Sequence, residues 1–192
     1  MIINHLSGRR VAAVLAAAAV STGLAATLSP AAQAATTSPA PAVAAYRAPA
    51  ATAADLKITV KPIHDNSAGA SYVDLVYTNV SRHAVSIKGY AGLSFVAHRT
   101  AHHAGTQVGK PAVWLTNRRA VLVTLKPGQS TTQIVTVEDA LNFGSPKHHT
   151  VMTSGFRVYV PGSRTSVFVK YRVLASTRHV AQLREDPIGA RI

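Results

Sequence analysis

The sequence contains no cysteine and only seven acidic residues among its 192. Without cysteine there are no disulfides, thiolate nucleophiles, zinc–thiolate sites or iron–sulfur clusters. A domain of about 140 residues can still be stable on its hydrophobic core alone. The shortage of acidic groups leaves 20 Lys and Arg residues largely unbalanced, with a formal net charge of +13. This charge predicts attraction to polyanions, although a merely basic composition would look the same.

Sequence signatures of common catalytic sites are also missing. The chain has no nucleophile elbow, P-loop or dinucleotide-binding glycine motif, which disfavours serine hydrolases and nucleotide-dependent enzymes. Candidate carboxylates are few, and Glu138–Asp139 and Glu185–Asp186 are adjacent in sequence. Because adjacent residues of a strand point to opposite faces, a two-carboxylate glycosidase is disfavoured. We therefore expect no enzymatic activity and no cofactor.

The first 34 residues have the pattern of a secretory signal peptide. Arg9 and Arg10 precede an uncharged run over residues 11–28, and Ala32-Gln33-Ala34 provides a cleavage site. Because the run approaches the length of a membrane-spanning helix, an uncleaved anchor is the alternative, and a twin-arginine signal ranks behind an ordinary one. We predict cleavage after Ala34, a secreted or cell-wall-associated protein, and no stable membrane insertion after cleavage.

The rest of the chain divides into a linker and one domain. Residues 35–54 are rich in Ala, Thr, Pro and Ser, which predicts a flexible linker. Residues 55–192 alternate apolar and polar positions in short runs separated by turn residues, with no long helical pattern. This pattern predicts an all-β, antiparallel sandwich of about eight strands, which we expect to be a monomer. Six aromatic residues are expected in its core: Tyr90, Phe95, Trp114, Phe156, Tyr159 and Phe168.

Five short motifs occur in a particular order: Asn79-x-Ser81, Gly89-Tyr90-Ala91-Gly92-Leu93-Ser94-Phe95, Leu125-Lys126-Pro127-Gly128, Asp139-Ala140-x-Asn142 and Arg157-Val158-Tyr159-Val160-Pro161-Gly162. Their order resembles that of the secreted bacterial family catalogued as domain of unknown function 4232, from roughly Asp55 to the C-terminus. The resemblance implies an exported, immunoglobulin-like sandwich and no assigned activity. Members of that family usually carry cysteine near the position of Val85 and in the loop before Phe156. This chain would therefore lack a bridge typically worth about 2–4 kcal/mol.

Basic residues fall mainly at predicted turns and strand ends. Because the loops of a sandwich gather at its two ends, two basic poles are expected. The candidates for contacting a polyanion are Arg82, Lys88, Arg99, Arg118, Arg119 and Lys147. We predict a non-catalytic binding or envelope-associated module whose partner is an anionic cell-wall polymer such as a teichoic acid. Nucleic acid is disfavoured because no stacking aromatic residues alternate with the basic ones.

Two polar loops carry histidines that suggest a different function. His98, His102 and His103 lie in one loop, and His148 and His149 lie in the other. If the loops converge, the imidazoles could hold Zn²⁺, Cu²⁺ or Ni²⁺, so an extracellular metal-binding domain is the alternative. No carboxylate neighbours the first cluster to orient a ring. As solvated loop residues, the histidines would gain charge in acid and strengthen polyanion binding.

Overall fold

The computed structural model describes residues 47–144 and 146–190, and only the backbone of residues 64–66, 146 and 147. These residues belong to one compact unit, which comprises Ala45–Ile192. The predicted signal peptide and residues 35–46 of the predicted linker lie outside the described residues. In the described part of the chain, no helix has the length and apolar character needed to cross a bilayer.

The described residues are organised almost entirely as β-strands, as the alternating pattern predicted. In chain order the strands are β1 (Leu56–Ser67), β2 (Ala70–Asn79), β3 (Val85–Ile87), β4 (Gly92–Ala97), β5 (Thr106–Val108), β6 (Val113–Trp114), β7 (Val123–Leu125), β8 (Ser130–Glu138), β9 (Thr150–Met152), β10 (Gly155–Tyr159), β11 (Ser166–Lys170), β12 (Leu174–Ser176) and β13 (Leu183–Glu185). A 3-10 turn (Ala140–Phe143) and a four-residue helix, α1 (Pro146–His149), precede β9. The strands outnumber the predicted eight because seven of them have only two or three residues.

Two sheets form the sandwich. Their strand orders are β1-β2-β8-β13-β6 and β11-β10-β4-β5. The orders β1-β2-β8 and β11-β10-β4 correspond to strands A-B-E and G-F-C of an immunoglobulin sandwich, which confirms the predicted fold class. Strand β13 lies beside β8, where that fold places strand D, and it pairs in parallel with β6. Two small sheets, β12-β9 and β3-β7, complete the fold.

The core is formed by the inward-facing residues of both sheets. In β2, buried and partly buried positions alternate, and Val73, Leu75 and Tyr77 point inward. On the opposite sheet Phe95 stacks on Phe156, with ring centroids 5.4 Å apart. Burying an aromatic or aliphatic side chain of this size contributes about 1.5–3 kcal/mol, so these layers supply the stability that a chain without disulfides needs.

Two predicted boundaries change. Proline has no amide donor, so the sequence predicts that the first strand stops at Pro62. Strand β1 instead continues through Pro62, which pairs with Val73, because β1 is an edge strand and needs no hydrogen-bond donor on its outer side. The predicted linker is too long at its C-terminal end, because Ala48 and Ala51 are buried and the amide of Ala51 donates to the carbonyl of Ser86. Residues 47–54 are therefore part of the folded domain.

The predicted aromatic core is correct for Phe95 and Phe156 but wrong for two other residues. Trp114 is 56% exposed and Tyr159 is 38% exposed. Trp114 lies on β6, an edge strand of two residues, where its indole stacks on the half-buried ring of Tyr90. Tyr159 lies one residue after the buried Val158, so the pleat of β10 directs it outward.

Candidate anion-binding site

Three cationic side chains line a concave part of the described surface where β11 ends. A cleft of about 570 Å³ opens there between the β4–β5 loop, the β9–β10 connection and β11. We call it the β11 cleft. It is lined by Arg99, Thr100, Ala101, Met152, Thr153, Ser154, Phe168, Lys170 and Arg172. None of these described residues is acidic, so the three cations face the cleft without a carboxylate partner in its wall.

Strand geometry brings two of the cations together. Phe168, Lys170 and Arg172 are spaced two residues apart, and successive odd or even positions of an extended chain share one face. The third cation, Arg99, comes from the loop that follows β4. Its guanidinium carbon lies 4.1 Å from the centroid of the Phe168 ring, a cation–π contact that holds the side chain over the ring.

Backbone contacts fix the loop that carries Arg99. The amide of Arg99 donates to Oγ of Ser154 over 3.1 Å, and Nη2 of Arg157 donates to the carbonyl of Gly105 over 3.1 Å. His98 turns the chain out of β4 with a φ of 55°, a left-handed conformation that is uncommon for a residue other than glycine. The loop is therefore anchored at both ends, and Arg99 projects from a defined backbone.

Four acidic residues that lie outside the wall of the β11 cleft form contacts elsewhere or are buried. Glu138 accepts from Nε of Arg184 over 2.7 Å. Asp55 accepts from the amide and hydroxyl of Thr52, and these hydrogen bonds lower its pKa. Asp186 lies 3.3 Å from Nε of Arg118, whereas Glu185 is fully buried.

Five of the six residues predicted to bind a polyanion have described side chains, and these are dispersed over the surface. Arg99 lines the β11 cleft. Arg82 lies exposed in the turn after β2. Lys88 lines a second cleft of about 550 Å³ beside β3, which it shares with Arg47. Arg118 and Arg119 line a third cleft of about 460 Å³ with Gly189 and Ala190. The side chain of Lys147 lies outside the described residues.

Lys170 and Arg172 were not among the residues predicted to bind a polyanion, although their spacing from Phe168 is visible in the sequence. Lys170 continues the alternation of β11 on the face of Phe168, and Arg172 follows the strand at the same two-residue spacing. Their proximity to Arg99 is a long-range feature, because it depends on the pairing of β10 with both β4 and β11.

The loop that carries His98, His102 and His103 lies beside the β9–β10 connection, but the described histidines are not grouped as metal ligands. Strand β4 ends where the antiparallel β10 begins, and the amide of Ser154 donates to the carbonyl of Val96 there. His103 uses Nδ1 to accept a hydrogen bond from the amide of Gly105. Among the described residues, no three His, Asp or Glu side chains lie close enough together to hold a metal ion. The geometry gives the metal-binding alternative no support.

A buried carboxyl group was missed because sequence reasoning placed Glu185 and Asp186 on opposite faces. Both are buried. The hydroxyl of Tyr77 donates to Oε1 of Gln133, and Nε2 of Gln133 donates to Oε2 of Glu185 and to the carbonyl of Asp186. Burial raises the pKa of Glu185 to about 8, and contacts with Trp114 and Gln133 oppose this rise. Since solvent does not reach Glu185, this network stabilises the core and is not the site.

One of three comparisons with known proteins identifies the family of the chain. No curated protein matches the chain, and no solved structure does. A family model described as a domain of unknown function (DUF4232) matches residues 51–188. The match covers well over half of the chain and includes both sheets of the sandwich, so the chain belongs to the DUF4232 family.

Proposed function

We propose that the protein is an exported, non-catalytic binding module that contacts a phosphate-bearing anionic polymer of the cell envelope. The signal-like first 34 residues support export, and the net charge of +13 supports a polyanionic partner. The observation that carries the proposal is the β11 cleft, where Arg99, Lys170 and Arg172 line one concave surface without an acidic neighbour in its described wall.

The chemistry of the cleft suits a phosphate group. Arginine and lysine both recognise phosphate through charge-assisted hydrogen bonds, and arginine can do so through two parallel N–H groups. Phe168 fixes one guanidinium beforehand, so less conformational entropy is lost when the ligand binds. Since all three cations are exposed, salt should screen the interaction strongly.

Co-sedimentation of the purified protein with anionic cell-wall material tests this function. Binding should fall steeply from low to high salt, because dissolved ions screen the exposed cations of the cleft. No binding at low salt, or binding that salt does not weaken, would contradict the proposal.

A charge-matched pair of variants separates the cleft from the general surface charge. The first variant carries Arg99→Gln, Lys170→Gln and Arg172→Gln. The control carries Lys57→Gln, Lys61→Gln and Lys126→Gln, three exposed residues outside the cleft. Losing three exposed charge contacts should weaken binding by about tenfold, whereas the control should bind nearly as well as the wild type. Equal losses in both variants would show that only net charge matters.

A further inference from the structure

A second cationic cleft lies at the end of the sandwich opposite the β11 cleft. It is the 550 Å³ cleft that Arg47 and Lys88 line, and we call it the β3 cleft. Its walls include the exposed Leu122 and the β10–β11 turn at Pro161 and Gly162. As in the β11 cleft, none of the described residues that line it is acidic.

The β3 cleft exists because the residues before Asp55 pack against the domain. The amide of Ser86 donates to the carbonyl of Pro49 over 2.7 Å, and the amide of Ala51 donates to the carbonyl of Ser86 over 2.8 Å. The hydroxyl of Ser86 also donates to the carbonyl of Ala48. These bonds hold the segment that carries Arg47 beside β3, and Lys88 follows that strand directly.

The two clefts are separated by the length of β10. Ser154, in the wall of the β11 cleft, immediately precedes this strand, and Pro161, in the wall of the β3 cleft, closely follows it. Seven residues of extended chain span about 20 Å, which exceeds the Debye length of about 8 Å at physiological salt. Cations in one cleft therefore have little electrostatic influence on an anion bound in the other.

We infer that the protein is bivalent: it binds one segment of phosphate-bearing polymer in each cleft and thereby bridges polymer chains. This inference rests on the proposed function and adds to it. A short anion occupies one cleft without reaching the other. A long polymer chain can bind several protein molecules, and each of these can hold a second chain in its other cleft. The protein would then cross-link the polymer in addition to binding it.

Nuclear magnetic resonance titration with a dimer of glycerol phosphate counts the sites. Amide signals around Ser154 and Phe168 should shift together, and those around Ser86 and Gly162 should shift as a second set. The variant with Arg47→Gln and Lys88→Gln should lose the second set alone, and the Arg99, Lys170 and Arg172 triple variant should lose the first set alone. Shifts confined to one set in the wild type would overturn the inference.

Turbidity of long poly(glycerol phosphate) chains measures bridging directly. Turbidity should rise as wild-type protein is added and then fall when the protein is in excess. In excess, protein molecules saturate each polymer chain, so few of them still connect two chains. Either cleft variant should still co-sediment with wall material but cause no turbidity, whereas the control with Lys57→Gln and Lys61→Gln should do both. Wild-type co-sedimentation without turbidity would overturn bridging and leave the proposed function standing. Failure of both would contradict the proposed function itself.

Discussion

The side-chain amide of Gln133 donates to Oε2 of Glu185 over 3.0 Å inside the sandwich, and no cation accompanies the carboxyl group within hydrogen-bond distance in the described part of the chain. The other carboxyl oxygen, Oε1, lacks a hydrogen-bond partner of good geometry, although the indole of Trp114 is near enough to oppose the rise in pKa. An ionised group here would be a buried charge compensated only by dipoles, which is costly. Burial therefore favours a protonated Glu185, although the hydrogen bond from Gln133 opposes this effect.

The first prediction concerns the pH dependence of stability. Between pH 4.5 and about 8 the folded chain retains the Glu185 proton that the unfolded chain releases, so rising pH lowers the free energy of unfolding. The loss across this window should be about 5 kcal/mol at most, since each pKa unit corresponds to about 1.4 kcal/mol. Glu185→Gln should remove this loss. Urea unfolding of both proteins over a pH series gives the free energy of unfolding at each pH. If this free energy changes equally with pH in both proteins, Glu185 does not retain its proton in the folded state.

The second prediction concerns Asn79, which is fully buried. Its Nδ2 donates to the carbonyls of His83 and Leu125, and its Oδ1 accepts from the amide and hydroxyl of Ser81. Asn79→Ala should lower the free energy of unfolding by about 3 kcal/mol, because buried backbone groups lose their partners. Ser81→Ala, as the control, should cost about 1 kcal/mol. Equal effects in urea unfolding would show that the amide does not organise this turn.

Local patterns were sufficient for the strand interiors and for one turn. In β2 the apolar residues Val73, Leu75 and Tyr77 alternate with more polar ones, and this period of two alone places all three on the buried face. The Pro127-Gly128 pair indicates a type II turn, and Lys126-Pro127-Gly128-Gln129 forms one, with Gly128 at a φ of 78° and a hydrogen bond from the amide of Gln129 to the carbonyl of Lys126. These features depend on residues that are close together along the chain, and the sequence shows such residues directly.

Features that depend on distant pairing could not be predicted in the same way. Trp114 is exposed because β6 is an edge strand, and this follows from its pairing with the C-terminal β13. Asp186 is buried beside Glu185 because β13 ends there and the amide of Asp186 donates to the carbonyl of Ile134. The β11 cleft likewise joins a loop after β4 to the end of β11. Spacing along the chain contains no information about these contacts.

The third prediction uses two glycines that differ in their surroundings. A Cβ at Gly155 would collide with the carbonyl oxygen of Val169 and lie 2.9 Å from the Phe168 ring. Gly155→Ala should therefore cost more than about 3 kcal/mol, as overpacking against backbone does at its most severe. Gly162 has open space but a φ of 79°, so Gly162→Ala should cost only about 1–2 kcal/mol. Thermal unfolding compares the stability of the two variants. If Gly162→Ala were the less stable one, the close packing of Gly155 against Val169 and Phe168 would be contradicted.

The last prediction concerns the contact between Arg99 and Phe168. Phe168→Leu keeps an apolar side chain but removes the π face beneath the guanidinium, so the variant should lose about 0.5–1 kcal/mol of interaction. Phe168→Tyr retains a ring and serves as the control. In the wild type and the Tyr variant, ring currents should shift the Arg99 side-chain protons upfield, and in the Leu variant they should not.

The same variants separate preorganisation from charge in polymer binding. All three proteins carry the same net charge, so a weaker interaction of Phe168→Leu with wall material reflects the freedom gained by Arg99. A loss of 0.5–1 kcal/mol corresponds to about two- to fivefold in affinity. If the Leu variant loses the upfield shift but binds as tightly as the Tyr variant, the ring positions Arg99 without contributing to recognition.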